Sequence, residues 1–201
     1  IKQRGLYMDE KETFLQIYDE AIKREGADKL RAYLLRSDFF EAPASIRYHS
    51  NRAGGLCSHS VNVYRRLLQL LLQERAGAYA DEGALRETAA VCGLLHDVCK
   101  IGYYRPDFRN VKEDGVWVRK PCYVRDEAYP FGHGEKSVFV VGRYLRLTAE
   151  EAMAINWHMG GFDARVRGGD GSVSEAFCKY PLAVLLHVAD LEATYLDEKS
   201  S

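Results

Sequence analysis

The chain has 201 residues, with 28 Lys and Arg against 29 Asp and Glu, and a net charge of −1. That length suffices for a sizeable core in one domain spanning 1–201, and the balanced charge creates no global field toward nucleic acid or an acidic membrane. The longest apolar run, around residues 67–72, is far too short to span a bilayer, and Ile1-Lys2-Gln3-Arg4 carries no signal-peptide core.

Residues 9–25 place Phe14, Ile17, Tyr18, Ala21 and Ile22 at helical spacing, with Gly26 as the stop. A short second helix carries Leu30, Tyr33 and Leu34, residues 37–43 form a break, and 46–55 read as a loop ending in Gly54-Gly55. A long helix is expected over 56–75, with Val63, Leu67, Leu70 and Leu71 on its core side. After a turn at 77–83, residues 84–98 form a largely apolar, central helix ending at His96-Asp97. Residues 103–131 hold three prolines, the alternating Val116 and Val118, and Asp114-Gly115, a hairpin signal. They read as an inserted loop or small β-hairpin.

Helix resumes over 133–145. Thr148 with Glu151 forms a capping box that opens a helix carrying Ile155 and His158, and Gly160-Gly161 ends it. Residues 168–171 are a flexible turn, and Pro181 suits the first turn of a last helix over 182–196. The expectation is an all-α bundle with a small inserted β-hairpin. Five cysteines without Cys-x-x-Cys spacing suit reduced thiols and a cytoplasmic location. Cys92 and Cys99 read as small buried hydrophobes, and Cys57 as a weak nucleophile candidate beside His59.

Chemistry concentrates in widely separated segments. His59, His96, Asp97, His133, His158 and Asp190 are the candidate metal ligands. A carboxylate bridges two ions, whereas an imidazole nitrogen binds one, so Asp97 is the natural shared ligand. Asp190 interrupts an apolar run, where a carboxylate is costly unless paired or bound to a cation. His49 and His187 read equally well as hydrogen-bonded structural residues. An imidazole-rich site suits one or two ions of Mn, Fe, Co, Ni or Zn rather than Mg²⁺ or Ca²⁺ alone.

His59, His96-Asp97 and Asp190 resemble the metal-binding signature of the HD-domain superfamily, mostly metal-dependent phosphohydrolases. Gly54-Gly55-Leu56-Cys57-Ser58-His59 is similar to the HD module of certain bacterial 3'-5' exoribonucleases. The segments around His133 and His158 are similar to the two extra histidine segments of HD proteins that hold two metals, and His187-Val188-Ala189-Asp190 resembles the string near their last ligand. The resemblance implies an HD-domain helical bundle that hydrolyses a phosphate mono- or diester by attack of a metal-bound hydroxide. Asp97 and Lys100 are then the catalytic residues. Arg47, His49 and Lys136 are the candidates for substrate contact. In the two-metal form, His59, His96 and Asp190 serve one ion and His133 and His158 the other. The chain departs from those exoribonucleases in having no oligonucleotide-binding barrel ahead of the HD region and Met159 after His158. A small phosphate ester or nucleotide is therefore the expected substrate ahead of RNA. The same ligand set also suits a mixed-valent di-iron oxygenase, or a regulatory module without activity.

Overall fold

The computed structural model describes residues 9–46 and 50–198. They are mostly helical, with one two-stranded antiparallel sheet. Helix α1 is Glu10–Ala21, opened by a capping box between Asp9 and Glu12. It buries Phe14 against Phe39 and Phe40 of the later turns, and Tyr18 beside Phe14. The stop expected at Gly26 falls earlier, at Ile22, which is extended. Gly26 instead begins α2, Ala27–Arg36, with its backbone at φ 89°.

Helix α3, Gly55–Glu74, and α4, Glu82–Leu95, lie side by side at the centre. Leu56, Val63, Leu67 and Leu71 of α3 and Ala89, Val91, Cys92 and Leu94 of α4 have almost no exposed surface. Gly93 permits this approach: a Cβ there would lie 2.5 Å from the Cα of Tyr64. The helix expected over 84–98 ends three residues early. His96 and Asp97 form a break, and a 3-10 turn follows at Val98–Lys100.

Strands β1, Tyr104–Glu113, and β2, Val116–Arg125, form the hairpin expected from Asp114-Gly115, and both turn residues have positive φ. Helix α5, His133–Gly142, packs on α6, Ala149–Trp157, whose capping box closes as expected: Thr148 Oγ1 accepts from the Glu151 amide at 3.1 Å. Two short helices were not anticipated, α7, Ala164–Arg167, and α8, Ser172–Lys179, and they flank the turn expected at 168–171. Serines and glycines flank α8, but Val173, Ala176 and Phe177 share a face that packs under Trp157.

Helix α9, Pro181–Glu192, starts at Pro181 and packs on α3 and α6. A π-helical turn, Ala193–Asp197, continues it and carries the chain back along α3. Among the described residues no helix is long and apolar enough to cross a membrane. All five cysteines are free.

Candidate metal centre

Each of the six candidate ligands comes from a different place in the bundle, except the adjacent pair. His59 is in the second turn of α3; His96 and Asp97 follow α4; His133 begins α5; His158 follows α6; Asp190 lies in α9. On a continuous helix neighbouring side chains diverge by about 100°. The break after Leu95 removes that constraint, with Asp97 at φ −109° and ψ 16°. Gly134 lets α5 approach α6 closely, since a Cβ there would meet the Asn156 backbone oxygen at 2.1 Å. That approach brings the rings of His133 and His158 to 5.2 Å.

The four histidines surround the Asp97 carboxylate, and Asp190 joins the cluster through His59. Its Oδ1 lies 2.7 Å from His133 Nε2 and 3.6 Å from His158 Nε2. Its Oδ2 lies 3.5 Å from His96 Nε2, 3.7 Å from His59 Nε2 and 2.5 Å from Lys100 Nζ. Asp190 Oδ1 is 3.2 Å from His59 Nε2, and the Nε2 atoms of His59 and His96 are 3.3 Å apart. Three overlapping groups each keep one donor atom per residue within 4.8 Å: His59-His96-Asp97, His96-His158-Asp190 and Asp97-Cys99-His133.

Ring orientation is set from behind. His96 Nδ1–H donates to the Gly93 carbonyl at 2.9 Å, and His158 Nδ1–H to the Ile155 carbonyl at 2.6 Å. Carbonyls only accept, so in the neutral rings Nε2 keeps its lone pair, and it faces the carboxylates. His158 Nε2 is fully buried and makes no hydrogen bond, with an acceptor oxygen of Asp97 as its nearest charged neighbour. Lone pairs aimed at carboxylates repel unless a cation stands between them. Donor atoms around an ion with bonds of ~2.1 Å lie about 3.0–3.4 Å apart at octahedral or tetrahedral angles, close to the separations here. The residues fit a metal of nitrogen and oxygen preference.

The charges tell the same story. Burial opposes ionisation of Asp97, but Lys100, His96 and His133 hold its carboxyl well below the usual range. Burial also opposes charge on Lys100, and Asp97 outweighs it, so its ammonium titrates above the usual lysine range. His59 is raised to about 9: burial disfavours the cation, and Asp190 and Glu198 more than compensate. His96 and His133 are lowered, chiefly by burial. His158 is raised, since burial disfavours its cation and Asp97 and Asp190 outweigh it, so the two carboxylates favour positive charge at His59, His158 and Lys100.

Several positions differ from expectation. Asp190, expected to be buried, is mostly so, with its side chain 16 % exposed. Cys99, read as a buried hydrophobe, adjoins the cluster with its sulfur 3.4 Å from His133 Nδ1. Burial pushes its thiol up to about 12, so it sits there protonated. Cys57 gives its thiol to the Glu10 carbonyl and is likewise pushed to about 12 by burial, which does not suit a nucleophile. His187 donates from Nδ1 to the His158 carbonyl at 2.7 Å, its structural reading. Lys136 is buried and holds Glu127 at 2.7 Å, with its ammonium over the Tyr103 ring. Arg47 and His49 lie outside the described residues.

Glu198 was not anticipated. Its Oε1 accepts from His59 Nδ1 at 3.0 Å and from Asn62 Nδ2 at 3.1 Å, and Ser50 Oγ donates to Oε2 at 2.7 Å. Nothing local marks it, because 139 residues separate it from His59. Two surface depressions, one lined by residues such as Ile17, Tyr64 and Glu87 and the other by Tyr18, Arg24 and Arg31, do not adjoin the cluster. Comparisons of the chain with protein-family models, with curated proteins and with solved structures found no match.

Proposed function

We propose that this protein is a metal-dependent phosphohydrolase of HD-domain type, acting on a phosphate mono- or diester of the nucleotide class. The observation that carries the reading is the inward-facing acceptor set: buried imidazoles tied at Nδ1, with Nε2 aimed at Asp97 and Asp190. His59, His96, Asp97, His133, His158 and Asp190 would hold one or two ions of Mn, Fe, Co, Ni or Zn. When bound, the metal supplies a Lewis acid toward the phosphoryl oxygens and an acidified water as nucleophile.

The remaining work falls to the chain. Asp97 offers its two oxygens to opposite halves of the cluster, Oδ1 toward His133 and His158 and Oδ2 toward His59 and His96. This is the arrangement a shared ligand needs. His133 is 28 % exposed, the most open of the six imidazole and carboxylate side chains for which exposure distinguishes an approach, so substrate reaches the cluster on its side. Lys100 neutralises Asp97 until a cation takes over that carboxylate; its ammonium is then free to hold a phosphoryl oxygen. Fully buried His96 and His158 keep the inner wall dry, which strengthens each electrostatic contact.

The test is metal analysis of protein purified without added metal. It is paired with hydrolysis of p-nitrophenyl phosphate, bis-p-nitrophenyl phosphate and nucleotides under several divalent ions. Asp97→Ala should lose both bound metal and hydrolysis. Unchanged hydrolysis in that variant would overturn the assignment, and bound iron with oxygen uptake and no ester cleavage would replace it with an oxygenase.

A further inference from the structure

The hairpin separates its chemistry by face. Residues 104–125 hold six Lys or Arg against three Asp or Glu, in a chain that is net negative. The strands pair without a bulge, Tyr104 opposite Arg125 through Glu113 opposite Val116, and side chains alternate between faces. One face receives four aromatic residues, Tyr104, Phe108, Trp117 and Tyr123. It also receives three cations, Lys112, Arg119 and Arg125. Pro106, Asn110 and Pro121 complete it, so this face carries no carboxylate. The strand acids, Asp107 and Glu113, are on the other face, where Asp107 pairs with Arg105 and Glu113 with Lys120.

The cations of the acid-free face form no ion pair among the described residues. Arg119 lies over the Phe108 ring at 4.3 Å, and Arg125 over Tyr103 at 5.8 Å. The aromatics are open toward the tip, Phe108 at 55 % and Trp117 at 68 % exposure. Large exposed aromatics on a two-stranded ribbon gain nothing for folding. The base of the same face follows directly in the chain from the turn that carries Lys100 beside the candidate metal centre. Tyr104 is four residues past Lys100, and its ring stands edge-on to that of Tyr103.

We propose that this face of the hairpin binds single-stranded nucleic acid and leads it toward the metal centre. Unpaired cations meet the phosphates, and aromatic rings between them stack on unpaired bases. A duplex, whose bases already stack on each other, offers those rings nothing. Same-face side chains recur every ~6.8 Å along a strand, so the ten-residue strands accommodate several nucleotides. Assigning the bound strand as substrate rests on the phosphohydrolase reading; the binding itself does not.

The experiment is fluorescence titration of the full chain with an oligothymidylate of about 15 nucleotides, in chelator, so that metal chemistry plays no part. Trp117 is exposed and Trp157 buried, so binding should quench the Trp117 emission. Three phosphate contacts predict a slope of log K against log salt of about −2, a loss of roughly 20-fold between ~50 and ~200 mM salt. Trp117→Ala, followed by anisotropy of a labelled oligonucleotide, should weaken binding about tenfold. The double variant Lys112→Glu/Arg119→Glu should weaken it more and flatten the salt slope. Arg109→Glu, on the opposite face, should change it less than about threefold. Absence of binding would overturn the proposal. So would equal weakening by Arg109→Glu, equal affinity for a blunt duplex, or binding to anionic phospholipid vesicles but not to the oligonucleotide. Hydrolysis failing while this binding persists would strike the phosphohydrolase reading alone.

Discussion

Glu198 holds His59 from behind, as carboxylates behind metal-ligating imidazoles do, fixing ring angle and raising basicity at Nε2. Replacing it with Gln keeps a hydrogen-bonding group but removes the charge. We expect Glu198→Gln to weaken metal affinity about 10-fold and Glu198→Ala up to about 100-fold, measured by competition with a chromogenic chelator. An unchanged affinity in both would mean that His59 needs no such support. Much of this chemistry was legible in the chain. The His-Asp pair and the four other candidate ligands stand out in the sequence because they are imidazoles and a lone acid in apolar helices. Glu198 does not, because it sits in an ordinary polar stretch at the chain's far end. Cys99 and Gly93 were passed over for a different reason: a small residue in an apolar segment looks the same whether it fills space or adjoins a site.

Helices α3 and α4 meet where Gly93 faces Tyr64, three residues before His96. The nearest atoms to an added Cβ are the backbone of α3, which cannot step aside as a flexible side chain would. Gly93→Ala should therefore separate the two helices that carry His59 and His96. It should cost roughly 1–3 kcal/mol by denaturant unfolding and weaken metal binding. A variant as stable as the parent would show that the helices have slack. The elements themselves were readable where a local rule operates: Asp114-Gly115 for the hairpin, Thr148 with Glu151 for α6, Pro181 for α9. Helix α8 was missed because its short apolar face is set among serines and glycines, and burial under Trp157 stabilises it rather than propensity. The early end of α4 was also hidden, since Val98 continues the apolar pattern past the break.

At the scale of the molecule, Arg24 joins three parts of the bundle. From the connection after α1 it binds Glu151 of α6 through both guanidinium ends, at 2.8 and 2.9 Å, and Glu87 of α4 at 3.3 Å. Glu151 is 1 % exposed, so Arg24→Ala would strand a buried carboxylate. We expect a loss of about 3 kcal/mol in unfolding free energy, and a cost under about 1 kcal/mol would show that water replaces the guanidinium. The same junction gives an acid sensitivity. Burial opposes ionisation of Glu87, yet the Lys23 amide and Arg24 lower its titration below the usual glutamate range. A carboxyl depressed in the folded state stabilises above its unfolded value of ~4.3 and loses that contribution as pH falls through the folded value. Unfolding midpoints should therefore drop below about pH 4.5, and Glu87→Gln should flatten that drop; an equal drop in the variant would assign it elsewhere.

What the chain determined by itself was local: helix-forming periodicity, the hairpin turn, the caps, and the presence of imidazoles and acids suited to a transition metal. Those depend on neighbours within a few residues. Only the tertiary structure decided that His59, His96, His133 and His158 meet around Asp97 and Asp190 joins them through His59, that Glu198 returns to brace His59, and that the hairpin's aromatics and unpaired cations share one open face with no acid. Such distances are set by how helices pack and strands register over separations of up to 139 residues, which no local pattern encodes.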